Sequence, residues 1–106
     1  MAHRDRDQLK NFFVAVSKLE TPEECAHFFE DVCTIRELEN MASRLHVAIM
    51  LSEGKNYHEI TKETSVSTAT ISRVNRCLNY GPGGYRMAIE RLKNGGIQDG
   101  SEGADR

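Results

Sequence analysis

Hydroxyl and guanidinium groups are concentrated in one run of this 106-residue chain: Ser67, Thr68, Thr70, Ser72, Arg73 and Arg76, with the small Ala69 among them. On one face of a helix, such residues can hydrogen-bond base edges and phosphates, and their small size lets the helix lie deep in the DNA major groove. Arg73, Arg76 and the upstream Lys62 are the candidate phosphate contacts. Ile60, Val66, Ile71 and Val74 are apolar pins, one on a first short helix, one at a turn and two on a second helix capped by Ser67. The stretch 56–79 therefore reads as a helix-turn-helix. A plain helical hairpin with a wet polar side accounts for the same residue types. It does not account for their order, in which turn pin, cap, small residues and core pins succeed one another from Val66 to Val74.

The rest of the chain offers little to an enzyme. There is no Gly-rich phosphate loop, no nucleophile motif and no cluster of titratable groups at site-like spacing, so no catalytic residue is assigned. Cys25, Cys33 and Cys77 are odd in number and form no C-x-x-C pair, which suits reduced, small buried residues in a cytoplasmic protein. His3, His27, His46 and His58 make no metal-ligand pattern with them, and no metal site is expected. His46, two residues after Arg44, points away from it on a helix and reads as a surface or interface histidine. No apolar run is long enough to cross a membrane and no signal sequence precedes the first helix, so a cytoplasmic location and no membrane partner are expected.

The elements that position the run are helices. Leu9, Phe12, Phe13 and Val16 recur at helical spacing after a charged start expected to fray from Met1 to Asp7. Thr21-Pro22-Glu23-Glu24 opens a second helix with a capping box and should bury Cys25, Phe28, Phe29, Val32 and Cys33. A box from Thr34 to Glu37 opens a third, longer helix with the stripe Leu38, Met41, Ala42, Leu45, Ala48, Ile49 and Ser52, stopped by Gly54. Asn56 and Glu59 form a further box that opens the helix-turn-helix. After Gly81-Pro82-Gly83-Gly84, the residues Tyr85, Ala88, Ile89 and Leu92 mark a sixth helix, and 95–106 is too polar to stay ordered. The fold class is all-α: a single helical DNA-binding domain over 1–94 followed by a disordered tail.

The net charge of −2 excludes a basic coat for nucleic acid, but the charge is uneven. Between Glu20 and Glu39 seven acids face one base, whereas between Lys55 and Lys93 seven bases face three acids, leaving the second half at +4 where a phosphate backbone would lie. Phe12, Phe13, Phe28 and Phe29 give the first two helices more apolar face than a compact monomer uses. A two-fold homodimer would use it, and would place two reading helices about 34 Å apart on a palindromic duplex.

Six helices with the reading unit fourth and fifth, and the run Ala69-Thr-Ile-Ser-Arg73, resemble the Trp repressor family. The likeness runs from about Thr34 to Leu92 and is weaker before Thr34, where only the helical layout matches; the nearer branch is one of uncharacterised bacterial repressor-like proteins. The resemblance implies an intertwined homodimer in which the first three helices wrap around the partner, with Ser67, Thr68, Ala69 and Thr70 facing base edges. Groove docking and water-mediated base contacts are known properties of the Trp repressor itself and come with the resemblance. So does a small-molecule corepressor between the third helix and the reading helix, with Thr34, Arg44 and Arg73 at the matching positions.

The departures bear on that pocket. Val74 stands where the family has glycine, Cys77 where it has serine, and Asp31 where it has leucine. A β-branched side chain in the pocket wall costs about 1–3 kcal/mol in overpacking, so tryptophan is a poor ligand for this chain. Arg44 and Arg73 then either clamp a smaller anion or hold phosphates and helix ends with no ligand; no cofactor is assigned. Ser65 replaces a glycine common at the turn, where a left-handed conformation costs serine about 1–2 kcal/mol. The leading function is a sequence-specific transcriptional regulator, a repressor, acting on double-stranded DNA as a homodimer. The alternative is a protein-interaction module that docks on a partner through the helix-turn-helix surface or the acidic front half.

Overall fold

The computed structural model describes residues 3–95, and the expected disordered tail lies, beyond Gly95, outside them. The six expected helices are all present: α1 His3–Ser17, α2 Pro22–Val32, α3 Ile35–Ser52, α4 Tyr57–Thr64, α5 Thr68–Tyr80 and α6 Gly84–Gly95, with no strand among the described residues. α1 starts at His3, so the helix reaches into the charged start, of which Met1 and Ala2 lie outside the described residues.

The changes of direction into α2, α3, α4 and α5 are each made by a side chain that satisfies a free N–H group in the first turn of the helix. Thr34 and Glu37 cap reciprocally, the Thr34 hydroxyl accepting from the Glu37 N–H at 3.0 Å and the Glu37 carboxylate accepting from the Thr34 N–H at 2.8 Å. Asn56 and Glu59 do the same, both bonds at 2.9 Å. At α2 the expected box closes differently: Thr21 accepts from the Glu24 N–H, but the Glu24 carboxylate reaches one residue further back, to the N–H of Glu20. α3 ends in a Schellman motif. The Gly54 N–H bonds the Leu51 carbonyl, the Lys55 N–H bonds the Met50 carbonyl, and glycine supplies the positive φ of 88° this requires.

The chain forms two compact units, divided within α3 between Glu39 and Asn40. In the first, Phe12 of α1 meets Phe28 and Phe29 of α2 at ring-centroid distances of 5.7 and 6.3 Å, and Phe28 and Phe29 stack edge to face at 5.4 Å. The burial expected of α2 is not reached: Cys25, Phe28, Phe29 and Cys33 are half-buried and Val32 is exposed. Two helices share a single seam, so apolar side chains away from it, Leu9, Phe13 and Val32 among them, stay open to water, as does Ile35 at the start of α3.

In the second unit the core is Val47, Ala48, Met50, Ile60, Ile71, Val74, Leu78 and Ile89, with Leu45, Ile49, Leu51, Tyr57, Val66 and Tyr85 packed against it. The expected α3 stripe is corrected here. Met41 and Ala42 are exposed, whereas Val47 and Met50, off the stripe, are buried. The last turns of α3 are covered on several sides, so apolar residues there are buried in succession rather than along one face. α5 buries Ile71, Val74 and Leu78 at spacings of three and four. It ends at Gly81, where a Cβ would collide with the Cys77 carbonyl oxygen that accepts the Gly81 N–H at 2.9 Å. In α6, Ile89 is buried, Tyr85 and Leu92 are half-buried and Ala88 is exposed.

Candidate nucleic-acid interface

α4 and α5 are joined by three residues, and the turn depends on Ser65. Its backbone is left-handed, φ 63° and ψ 13°, and its N–H closes α4 on the Thr61 carbonyl at 3.2 Å. The Thr64 hydroxyl donates to the Ile60 carbonyl and accepts from the Val66 N–H, which turns the half-buried Val66 in against the core. Ser67 then caps α5: its hydroxyl accepts the Thr70 N–H at 3.2 Å and donates to the Thr70 hydroxyl at 3.1 Å.

With Ile71, Val74 and Leu78 directed inward, the 3.6-residue period carries Ala69, Arg73 and Arg76 to the opposite side of α5. All three are exposed, as are Lys62, Ser67, Thr68 and Ser72. Among the described residues the one ion pair is Lys55 to Glu63 at 3.6 Å, so the positive charge of Lys62, Arg73 and Arg76 faces solvent without a carboxylate partner. Thr70 is placed differently from its neighbours. It is half-buried and lines a polar cleft with Asn40, Ser43 and Arg44 of α3 and the turn from Thr64 to Ser67.

The residues matched to a corepressor pocket differ in their local surroundings. Arg44 lines the cleft, but Arg73 is on the outer face, Val74 is 1% exposed within the core, and Cys77 is exposed, against the expectation that all three cysteines are buried. Thr34 belongs to the first unit, where its hydroxyl is committed to the α3 cap. The cleft residues Asn40, Ser43 and Thr64 were not singled out from the sequence, although Asn40, Ser43 and Arg44 at spacings of three and four would mark a polar helix flank. Also not anticipated is a chain of hydrogen bonds from Asn75 through Asn79 to Arg86. Among the described residues no three His, Cys, Asp or Glu side chains could hold a metal, and no helix is long and apolar enough to cross a membrane.

Residues 7–93 match the model of the Trp repressor protein family. The chain belongs to the Trp repressor family. Among relatives of this family member, the uncharacterised protein YerC of Bacillus subtilis is 53% identical over 90 residues, which are 85% of this chain and 84% of YerC. Two solved structures share the fold at a TM-score of 0.78. One is from Staphylococcus aureus, proposed to be a Trp repressor, 38% identical and covering 88% of this chain and 96% of its own. The other is a Trp repressor-like protein from Eubacterium eligens, 45% identical and covering 88% of this chain and 94% of its own. The six helices of this chain form the Trp repressor-like fold, shared with each of the two solved structures over 88% of the chain.

Proposed function

We propose that this chain is a transcriptional repressor that binds a palindromic duplex as a homodimer, with no enzymatic activity, in the cytoplasm. The observation that carries the reading is the exposed surface of α5, where Thr68 on a flank of the N-terminal turn is followed by Ala69, Arg73 and Arg76 opposite the buried pins, all four exposed. Small residues admit the helix to the groove floor while the cations reach the walls. Thr68 and Ala69 lead the base readout. Ser67 and Thr70 support it from the cap, since their hydroxyls already bond each other. Lys62, in the last turn of α4, serves the phosphate backbone. The exposed Leu9, Phe13 and Ile35 of the first unit support the homodimer, because a second copy would remove from water what a single chain leaves open.

Val74, packed with Ile60, Ile71 and Leu78, supports an effector other than tryptophan, or none, for the set Thr34, Arg44, Arg73, Val74 and Cys77. Duplexes selected from a random pool, with and without tryptophan and with and without a cell-metabolite extract, test the whole reading. A palindrome enriched under all conditions is the expected result, with affinity falling steeply as salt rises. Enrichment that requires tryptophan would refute the packing argument at Val74. No enrichment under any condition, together with a protein captured on the helix-turn-helix surface, would replace DNA binding with the interaction-module reading.

A further inference from the structure

The Asn75–Asn79–Arg86 chain joins the reading helix to α6. The Asn79 amide NH2 donates to the Asn75 carbonyl oxygen at 2.9 Å and to its side-chain oxygen at 3.0 Å. Those bonds orient the amide, so that Asn79 Oδ1 faces away from Asn75 and accepts from the Arg86 guanidinium at 2.9 Å. Arg86 is thus held by a neutral acceptor, with no carboxylate within ion-pair distance among the described residues. A guanidinium has five N–H donors, and among the described residues one bond from Arg86 is made, so its charge and most of its hydrogen-bonding capacity remain for an anion.

Its place specifies which anion. Asn75 and Asn79 are one turn apart on a flank of α5 between the buried pins and the outer face that carries Arg76. Arg86 is therefore fixed beside the C-terminal half of the reading helix. A helix that enters the groove by its N-terminal turn leaves it past the phosphates of the groove wall. We propose that Arg86, delivered from α6 and held by Asn79, is a DNA-backbone contact outside the helix-turn-helix that sets the docking angle of the reading helix. The inference rests on the DNA-binding reading above. A phosphate contact carries no base information, so its loss weakens selected and altered duplexes alike.

The test is salt-titrated binding of the full chain and its Arg86→Ala, Arg86→Lys, Asn79→Ala and Asn79→Ala/Arg86→Ala variants to the selected duplex. Arg86→Ala should lower the log–log salt slope by about 0.9 for each chain engaged, about 3.5-fold less affinity lost between 0.05 and 0.2 M salt, and Arg86→Lys should restore the slope. Asn79→Ala should weaken binding, and the double variant should be no weaker than Arg86→Ala, because Asn79 acts through Arg86. A steep wild-type slope that Arg86→Ala leaves unchanged would overturn the inference and leave the DNA reading intact. Full additivity of the two substitutions would overturn the positioning role of Asn79. A wild-type protein with no salt-dependent DNA affinity would remove the DNA reading and this contact with it.

Discussion

Replacing Ser65 by glycine should stabilise the protein, and the sign can be worked from the turn. Ser65 holds φ at 63°, the one positive φ at a non-glycine residue among those described, and a left-handed backbone costs an L-residue about 1–2 kcal/mol. The hydrogen bonds that close the turn come from the Ser65 backbone and the Thr64 hydroxyl, so removing the Ser65 side chain breaks none of them. Against the relief stands the added freedom of an unfolded glycine, about 0.4–1 kcal/mol. The difference favours glycine by roughly 0.5–1 kcal/mol, which at this chain length raises the melting temperature by roughly 2–8 °C. Thermal unfolding followed by circular dichroism at fixed protein concentration measures it. Ser65→Ala is the control: it keeps the Cβ that strains the turn and should melt within about 0.5 kcal/mol of wild type. A Ser65→Gly protein no more stable than wild type, or a Ser65→Ala protein equally stabilised, would refute the argument from backbone strain.

Three further outcomes are expected. Ile71→Ala empties a fully buried position between α4 and α5 and should cost about 2–5 kcal/mol in denaturant unfolding, with an unchanged denaturant slope. Asn56→Ala removes the reciprocal cap of α4 and should cost about 1 kcal/mol, seen as faster amide exchange at Glu59 before any change elsewhere. Arg76→Ala should lower the salt slope of DNA binding by about 0.9 per chain with melting unchanged, since Arg76 is exposed; an unchanged slope would remove it from the phosphate contacts.

Hydrogen bonds spanning three or four residues made much of this protein legible before any coordinates. The boxes Thr34–Glu37 and Asn56–Glu59, the stop at Gly54 and the cap at Ser67 all close within a few positions, so residue type and spacing alone place the helix ends. The pins Ile71 and Val74 were legible for a related reason, because a helix brings residues three and four apart to one side. Burial along α3 was not legible. Met41 and Val47 are equally apolar, and which of them is covered depends on where α4, α5 and α6 pack.

The sequence by itself determined six helices, the position of the helix-turn-helix and the strained residue at its turn, because these follow from local backbone chemistry. Only the tertiary structure decided that Thr70 turns into a cleft beside Arg44 while Thr68 and Ala69 stay outside. It also decided that Val74 belongs to the core and Cys77 to the surface. Arg86 meets Asn79 seven residues away across a helix break, a contact that no spacing rule anticipates. A side chain's partners beyond its own helix are set by how neighbouring helices pack, and that is a property of the whole chain.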